Sequence, residues 1–443
     1  MSGLVEGAVA VAVGAPLALL LLLGAAALGD LLGERSIGAL TRAALLAALG
    51  AAVTALVACA LSDAPPAVVR LGSWFGTAET AFAFDVAVDP VALGFATLSL
   101  FICNVVAAFS FRYLHREPGF RRYFFQMAMF VSGITLIALA GSVEVLFVGW
   151  ELLGLSSALL VGFFQERPAP AANALRVFAI YRLSDAAMLA AAVLLHHWAD
   201  SGSLAAVFAA AHAPDALLAP GRAFAISLLL IIAVAGKSAL WPLSGWLPRA
   251  MEGPTPSSAV YYGALSIHAG CFLLLRAQPL ILASTGATAL LIAGGVVTGL
   301  YGALTGRVQT DVKSAISYAT LTQVGIITVE IALGLRVLPM LHIAGHACFR
   351  LLQFLSAPNV LHDLHELENR LGGALDEGAA GALQTRQARQ ARPGVYLFAL
   401  ERGFADALLD RAVVLPCRRV LSWLDALDRL LIGDSERKRG RPW

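Results

Sequence analysis

Long apolar runs constrain this chain more than any other feature. Runs on the order of 20 residues, the length a helix needs to cross the hydrocarbon of a bilayer, begin near Leu4, Leu40, Pro90, Tyr123, Val143, Ala171, Ile226, Ser257, Thr288, Asp311 and Val337, which makes about eleven. With 59% hydrophobic and 14% charged residues and a mean hydropathy of +0.77, most of that surface has lipid, not a soluble core, as its solvent. The expected fold class is all-α: a polytopic membrane protein of about eleven transmembrane helices. The first run has neither a basic leader nor a small-residue cleavage site and reads as a retained helix.

Arginines orient the bundle. Arg35 and Arg42 follow the first run, and Arg112, Arg116, Arg121 and Arg122 follow the third, whereas the second leads into a segment with Asp63, Asp85 and Asp89. The positive-inside rule then puts the N-terminus outside and the C-terminus in the cytoplasm. The five cysteines are scattered without a CxxC pair, so neither a disulfide framework nor an iron–sulfur or zinc site is expected. A net charge of +2 gives no reason to expect nucleic acid as a partner.

Ionisable residues inside the apolar runs carry the chemistry, because each costs roughly 2.5–3.5 kcal/mol at helix depth and marks an ion path or a paired structural site. In "VEVLFVGWELLGLSSALL" Glu144 and Glu151 share a face of the fifth run, one heptad apart. In "LRVFAIYRLSDAAML" Arg182 and Asp185 have the three-residue spacing of a helical pair. Lys237 lies in the seventh run, before the helix breaker Pro242. Its GKS context is not a phosphate-binding loop, since Ile231 stands where that motif needs glycine. In "MLHIAGHACFRLLQFL" His342, His346 and Arg350 recur every four residues as one polar stripe. Two readings of these groups stay open: neutralised pairs that lock packing, or stations of a proton path. Lysine and histidine suit the second, because their affinity for a proton responds to burial and to a nearby carboxylate. A helix break beside Lys237 would supply carbonyls and water.

The residues from about Phe82 to Gly373, through "DVAVDPVAL", "FVGWELLGLSSALLVGFF", "GKSALWPLSGWLPRAMEGPTPSSA", "VQTDVKSAISYATLTQVG" and "HIAGHACFRLLQFLSAPNVLHD", resemble the antiporter-like, proton-conducting subunits of respiratory complex I. The likeness is greatest to its subunit L and extends to the large subunit of Mrp-type cation/proton antiporters. The resemblance implies a core of two inverted five-helix repeats, with Glu151 as the fifth-helix glutamate and Lys237 as the lysine of a broken seventh helix. It also aligns Arg182 and Asp185 with the sixth-helix pair, and Asp311 and Lys313 with the start of the tenth helix. It implies proton translocation without a cofactor or metal of the chain's own.

The departures are specific. Arg350 replaces the usual lysine below the two histidines and, being permanently charged, cannot donate and accept in turn; Tyr262 stands where a histidine is common. After "NVLHDLHELENRLGG" a polar, Ala/Gln/Arg-rich linker replaces the usual further helices with the outlet half of the path. His362 and His365 of that stretch are expected in a solvated loop. Beyond the linker, Val420, Trp423, Leu424, Leu427 and Leu431 form the apolar face of an amphipathic helix, with Arg418, Arg419, Asp425 and Arg429 off that face. It resembles the lateral helix of subunit L. The domain plan is therefore residues 1–89 (N-terminal helices and an extracytoplasmic segment), 90–373 (conducting core), 374–394 (linker) and 395–443 (amphipathic region).

Three functions follow. The chain conducts protons, or Na⁺, within a complex I-like NADH:quinone oxidoreductase or related complex in the inner membrane, with a redox module as partner. Alternatively it is the membrane subunit of a Dab-type inorganic-carbon transporter, paired with a large cytoplasmic zinc protein. The third is a non-conducting structural paralogue.

Overall fold

The computed structural model describes residues 2–29, 31–62, 66–76, 81–199, 202–210, 220–309, 311–371 and 393–432. The linker expected over 374–394 lies almost wholly outside them, its last two residues opening the helix Pro393–Leu400.

The long helices fall where the apolar runs place them: α1 (Ser2–Gly29), α2 (Glu34–Ala60), α3 (Pro90–Tyr113), α4 (Phe120–Ala138), α5 (Val143–Val161), α6 (Pro168–Ala199), α7 (Pro220–Lys237), α8 (Thr255–Arg276), α9 (Thr285–Gly306), α10 (Val312–Ala332) and α11 (Val337–Leu371). Among the described residues eight of these are long and apolar enough to cross a membrane, all but α4, α7 and α11. α1 and α2 have mean hydropathies of 2.4 and 2.3, yet only 33% and 22% of their apolar windows are buried within the protein. Helices that are hydrophobic all round and still exposed have lipid as their solvent. By contrast the apolar window of α8 is wholly buried, and α4 is buried along its length, so the core sits where α4, α5 and α8 meet.

Small residues set how closely these helices approach. A Cβ on Gly133 of α4 would lie 2.9 Å from the Gly149 carbonyl of α5, and one on Gly149 would lie 2.8 Å from the Gly133 carbonyl. Gly149 is two residues before Glu151, so this contact also fixes the height of the glutamate.

One element departs from the helical plan. The segment between α2 and α3 forms an antiparallel hairpin, β1 (Ala67–Gly76) with β2 (Ala81–Val88), in a register that sets Arg70 opposite Asp85 at 3.0 Å. Its second strand is tied to the α4–α5 turn by the Gly141 amide, which donates to the Asp85 carbonyl at 2.9 Å. Asp89 caps α3 by accepting from the Val91 and Ala92 amides and pairs with Arg276 at the end of α8 at 2.5 Å. The hairpin thus closes one end of the bundle.

The stretch with His362 and His365 is not a loop: backbone helix continues through α11 to Leu371. The expected amphipathic helix is α12 (Leu415–Ile432), with Val420, Leu421, Trp423, Leu424 and Leu427 exposed. The segment before α12 folds back on the bundle. Asp406 pairs with Arg249 at 2.8 Å, Asp410 pairs with Arg176 of α6, and the Tyr301 hydroxyl of α9 donates to the Arg402 carbonyl.

Candidate functional site

α7 stops at Lys237, and the chain crosses to α8 through two short 3₁₀ turns, Leu243–Trp246 and Pro248–Glu252. Pro242 cannot continue the helix, and Ala239 already stands at a positive φ of 54°. The break exposes backbone groups that the interior must satisfy. The indole of Trp246 donates to the Gly236 carbonyl at 2.9 Å, and the Ser238 hydroxyl donates to the Ile267 carbonyl of α8 at 2.5 Å.

The ammonium of Lys237 is fully buried at this break. It lies 3.6 Å from Asp185, donates to the Trp150 carbonyl at 3.2 Å, and sits over the rings of Tyr181 (4.3 Å) and Trp150 (4.9 Å). Desolvated cation–π contacts of this kind contribute about 2 kcal/mol. Asp185 also accepts from the Trp150 indole at 2.6 Å and from Arg182 at 2.7 Å, while the other terminal nitrogen of Arg182 reaches Glu151 at 2.5 Å. Four of the sequence-derived residues, Glu151, Arg182, Asp185 and Lys237, are therefore one cluster. The i, i+3 pair of Arg182 with Asp185 forms as its spacing implies. Glu151 reaches Lys237 only indirectly: Arg182 joins Glu151 to Asp185, and Asp185 faces Lys237.

The polar stripe of α11 divides between two neighbours. His342 faces α10, with its two ring nitrogens 2.9 Å from Glu330 and 3.0 Å from Gln323. His346 turns instead to α8, where His268 is 2.9 Å away, and Arg350 donates to His346 at 2.9 Å and to Gln353 at 2.5 Å. The two centres approach through adjacent residues. Ser238 follows Lys237 and bonds the carbonyl of Ile267, which precedes His268.

The other three residues lie apart. Glu144 pairs with His196 at the hairpin end of the bundle. Asp311 caps α10 by accepting from the Ser314 amide at 2.8 Å, and Lys313 reaches the Thr255 hydroxyl at the start of α8 at 3.4 Å. Tyr262 donates to the Ser157 carbonyl at 2.9 Å, a helix–helix contact. Sequence reasoning missed His268, Glu330 and Trp150. The signal for His268 was available: a histidine within an apolar run, six residues past Tyr262, in the helix that the bundle buries most completely.

The fold and the buried cluster define a polytopic membrane protein with an ionisable chain inside its helix bundle. Residues 140–374 match the family described as NADH:quinone oxidoreductase/Mrp antiporter, TM, and residues 74–124 match the complex I chain 5 N-terminus. The first match takes in more than half of the chain, which belongs to this family. The chain is 32% identical over 306 residues to NADH-quinone oxidoreductase subunit L of Mycobacterium tuberculosis, covering 68% of this chain and 48% of that protein. It is 30% identical over 348 residues to the probable inorganic carbon transporter subunit DabB1 of Halothiobacillus neapolitanus, covering 78% of this chain and 60% of the relative. It spans about half the length of the subunit L relatives that it matches. Among solved structures, the Mrp complex from Dietzia sp. superposes with a TM-score of 0.69 at 29% identity, covering 81% of this chain and 38% of that one. The archaeal membrane-bound sulfane sulfur reductase shares the fold, with a TM-score of 0.69 at 18% identity over 92% of this chain and 87% of that one.

Proposed function

We propose that this chain is a proton-conducting membrane subunit of a larger energy-coupling complex. The observation that carries the reading is Lys237: an ammonium with no exposed surface, at a helix break, held by Asp185 and linked through Arg182 to Glu151. A packing device has no need of a lysine there, since an apolar side chain fills the same space at lower cost. A proton station does, because the lysine can exchange a proton as its carboxylate neighbours gain or lose theirs. Glu151, Arg182, Asp185 and Lys237 form the intake centre, and His342, His346 and Arg350 the second. Glu144, Asp311 and Lys313 lie at the ends of the path. All eleven long helices cross the membrane, N-terminus outside and the amphipathic α12 on the cytoplasmic side, with residues 90–373 as the conducting core. The partners are other subunits of the complex.

The Dab-type reading has its own support, because the DabB1 match covers more of both chains than the subunit L match does. A large cytoplasmic zinc protein co-purifying with the chain would favour it, and redox subunits would favour the complex I-like assembly. For either, Glu151→Gln and Lys237→Met in proteoliposomes with the native partners are expected to abolish proton-coupled activity while leaving membrane levels unchanged. Normal transport by Glu151→Gln overturns the proposal.

A further inference from the structure

Arg350, His346, His268 and the Ala264 carbonyl form one hydrogen-bonded line between α11 and α8. Nε of Arg350 donates to Nε2 of His346 at 2.9 Å. Nδ1 of His346 is 2.9 Å from Nε2 of His268, and Nδ1 of His268 is 2.5 Å from the Ala264 carbonyl oxygen. The ends of this line have fixed roles, because a guanidinium only donates and a carbonyl oxygen only accepts. Nε2 of His346 is therefore bare and its proton is on Nδ1, which donates to a bare Nε2 of His268. The His268 proton is likewise on Nδ1, donated to Ala264. Starting from the carbonyl gives the same assignment, so both ends impose one tautomer on both rings. All three side chains are excluded from solvent, with exposures of 0% for His268, 8% for His346 and 7% for Arg350.

We propose that Arg350 is a positioning residue that occupies Nε2 of His346 and, with the Ala264 carbonyl fixing the Nδ1–H tautomers from the other end, holds the relay between His346 and His268 closed. The proposal deepens the proton-path reading above and rests on it. Every ring nitrogen in the line is in use, so an added proton finds no free lone pair until Arg350 leaves Nε2 of His346. Gln353, which already accepts from Arg350 at 2.5 Å, offers the guanidinium an alternative position on α11. The opened step balances: one proton adds to Nε2 of His346, the Nδ1 proton of His346 passes to Nε2 of His268, and the charge moves to His268. The neighbouring titratable groups do not compete for these nitrogens. His342, with its ring centroid 6.4 Å from that of His346, is engaged by Glu330 and Gln323 of α10.

The test is ¹⁵N-histidine NMR of the full chain in lipid bilayers, with His268→Gln and His346→Gln for assignment. A hydrogen bond from a charged donor favours one tautomer by about tenfold or more, so both rings are expected to carry their proton on Nδ1. Arg350→Leu removes the donor and is expected to leave the proton on Nδ1 but Nε2 of His346 without a hydrogen bond, read as a shift of its ¹⁵N signal, and to raise the passive proton leak of proteoliposomes by about tenfold. Arg350→Lys keeps a donor and is expected to restore the hydrogen-bonded Nε2 signal of His346. A proton on Nε2 of His346 in the wild type, or an unchanged His346 signal in Arg350→Leu, overturns the lock; the wild-type spectrum alone decides it if Arg350→Leu fails to accumulate. The tautomer is read without transport, so a locked relay in a wild-type protein that moves no protons overturns the proton-path reading instead.

Discussion

Gly154 of α5 is the residue whose replacement separates the position of Lys237 from its presence. A Cβ at Gly154 would lie 2.6 Å from the Lys237 ammonium, against the 3.4 Å at which ordinary contact begins, so Gly154→Ala must displace the nitrogen by about 0.8 Å. The atom in the way is the far end of a flexible side chain, and the next neighbours, Tyr181 and Arg182, are at 3.5 and 3.7 Å, so the helices need not move. A displacement directed away from Asp185 would lengthen the 3.6 Å pair to about 4.4 Å. With an effective dielectric of about 20, that weakens the attraction by about 0.8 kcal/mol, a factor of about four in the pairing of Lys237 with Asp185. The expected result is unchanged protein in the membrane with proton-coupled turnover in proteoliposomes reduced about fourfold or more. Full turnover, or loss of the protein from the membrane, would refute the placement of Lys237 in a space that this glycine keeps open.

Asp185→Asn is expected to cost about 3–5 kcal/mol, because Lys237 and Arg182 lose a buried partner together, and to be read as loss of assembled protein. Lys237→Met, in contrast, leaves Asp185 with Arg182 and the Trp150 indole; it is expected to cost no more than about 2 kcal/mol, the lost cation–π contacts, in thermal denaturation of the detergent-solubilised protein. Glu151→Gln leaves Arg182 paired with Asp185 and is expected to change stability by less than about 1 kcal/mol while abolishing transport. Gly245→Ala puts a Cβ 1.9 Å from an Asp406 carboxylate oxygen; it is expected to detach the segment before α12, at about 1.5–3 kcal/mol for the Arg249 bond, and to speed proteolysis of residues 393–432. An unchanged cleavage rate would show that this segment is held elsewhere.

Chain-local properties of this protein were legible in its sequence. Apolar runs long enough to cross a bilayer placed the long helices, since a continuous apolar segment outside a closed barrel must satisfy its backbone hydrogen bonds within itself. The three-residue spacing of Arg182 and Asp185 implied their pair, and Pro242 the break after Lys237. What the sequence could not supply was which face of each helix meets which neighbour. His342, His346 and Arg350 share one stripe by periodicity, yet α10 takes the first and α8 the second, because the crossing of three helices decides which side chain each one meets. The hairpin escaped notice for a related reason: its second strand is fixed by the α4–α5 turn, more than fifty residues away, and no local pattern records that bond. Periodicity reports the geometry of one helix at a time, whereas a buried charge acquires its partners, and hence its chemistry, only from helices that pack against it.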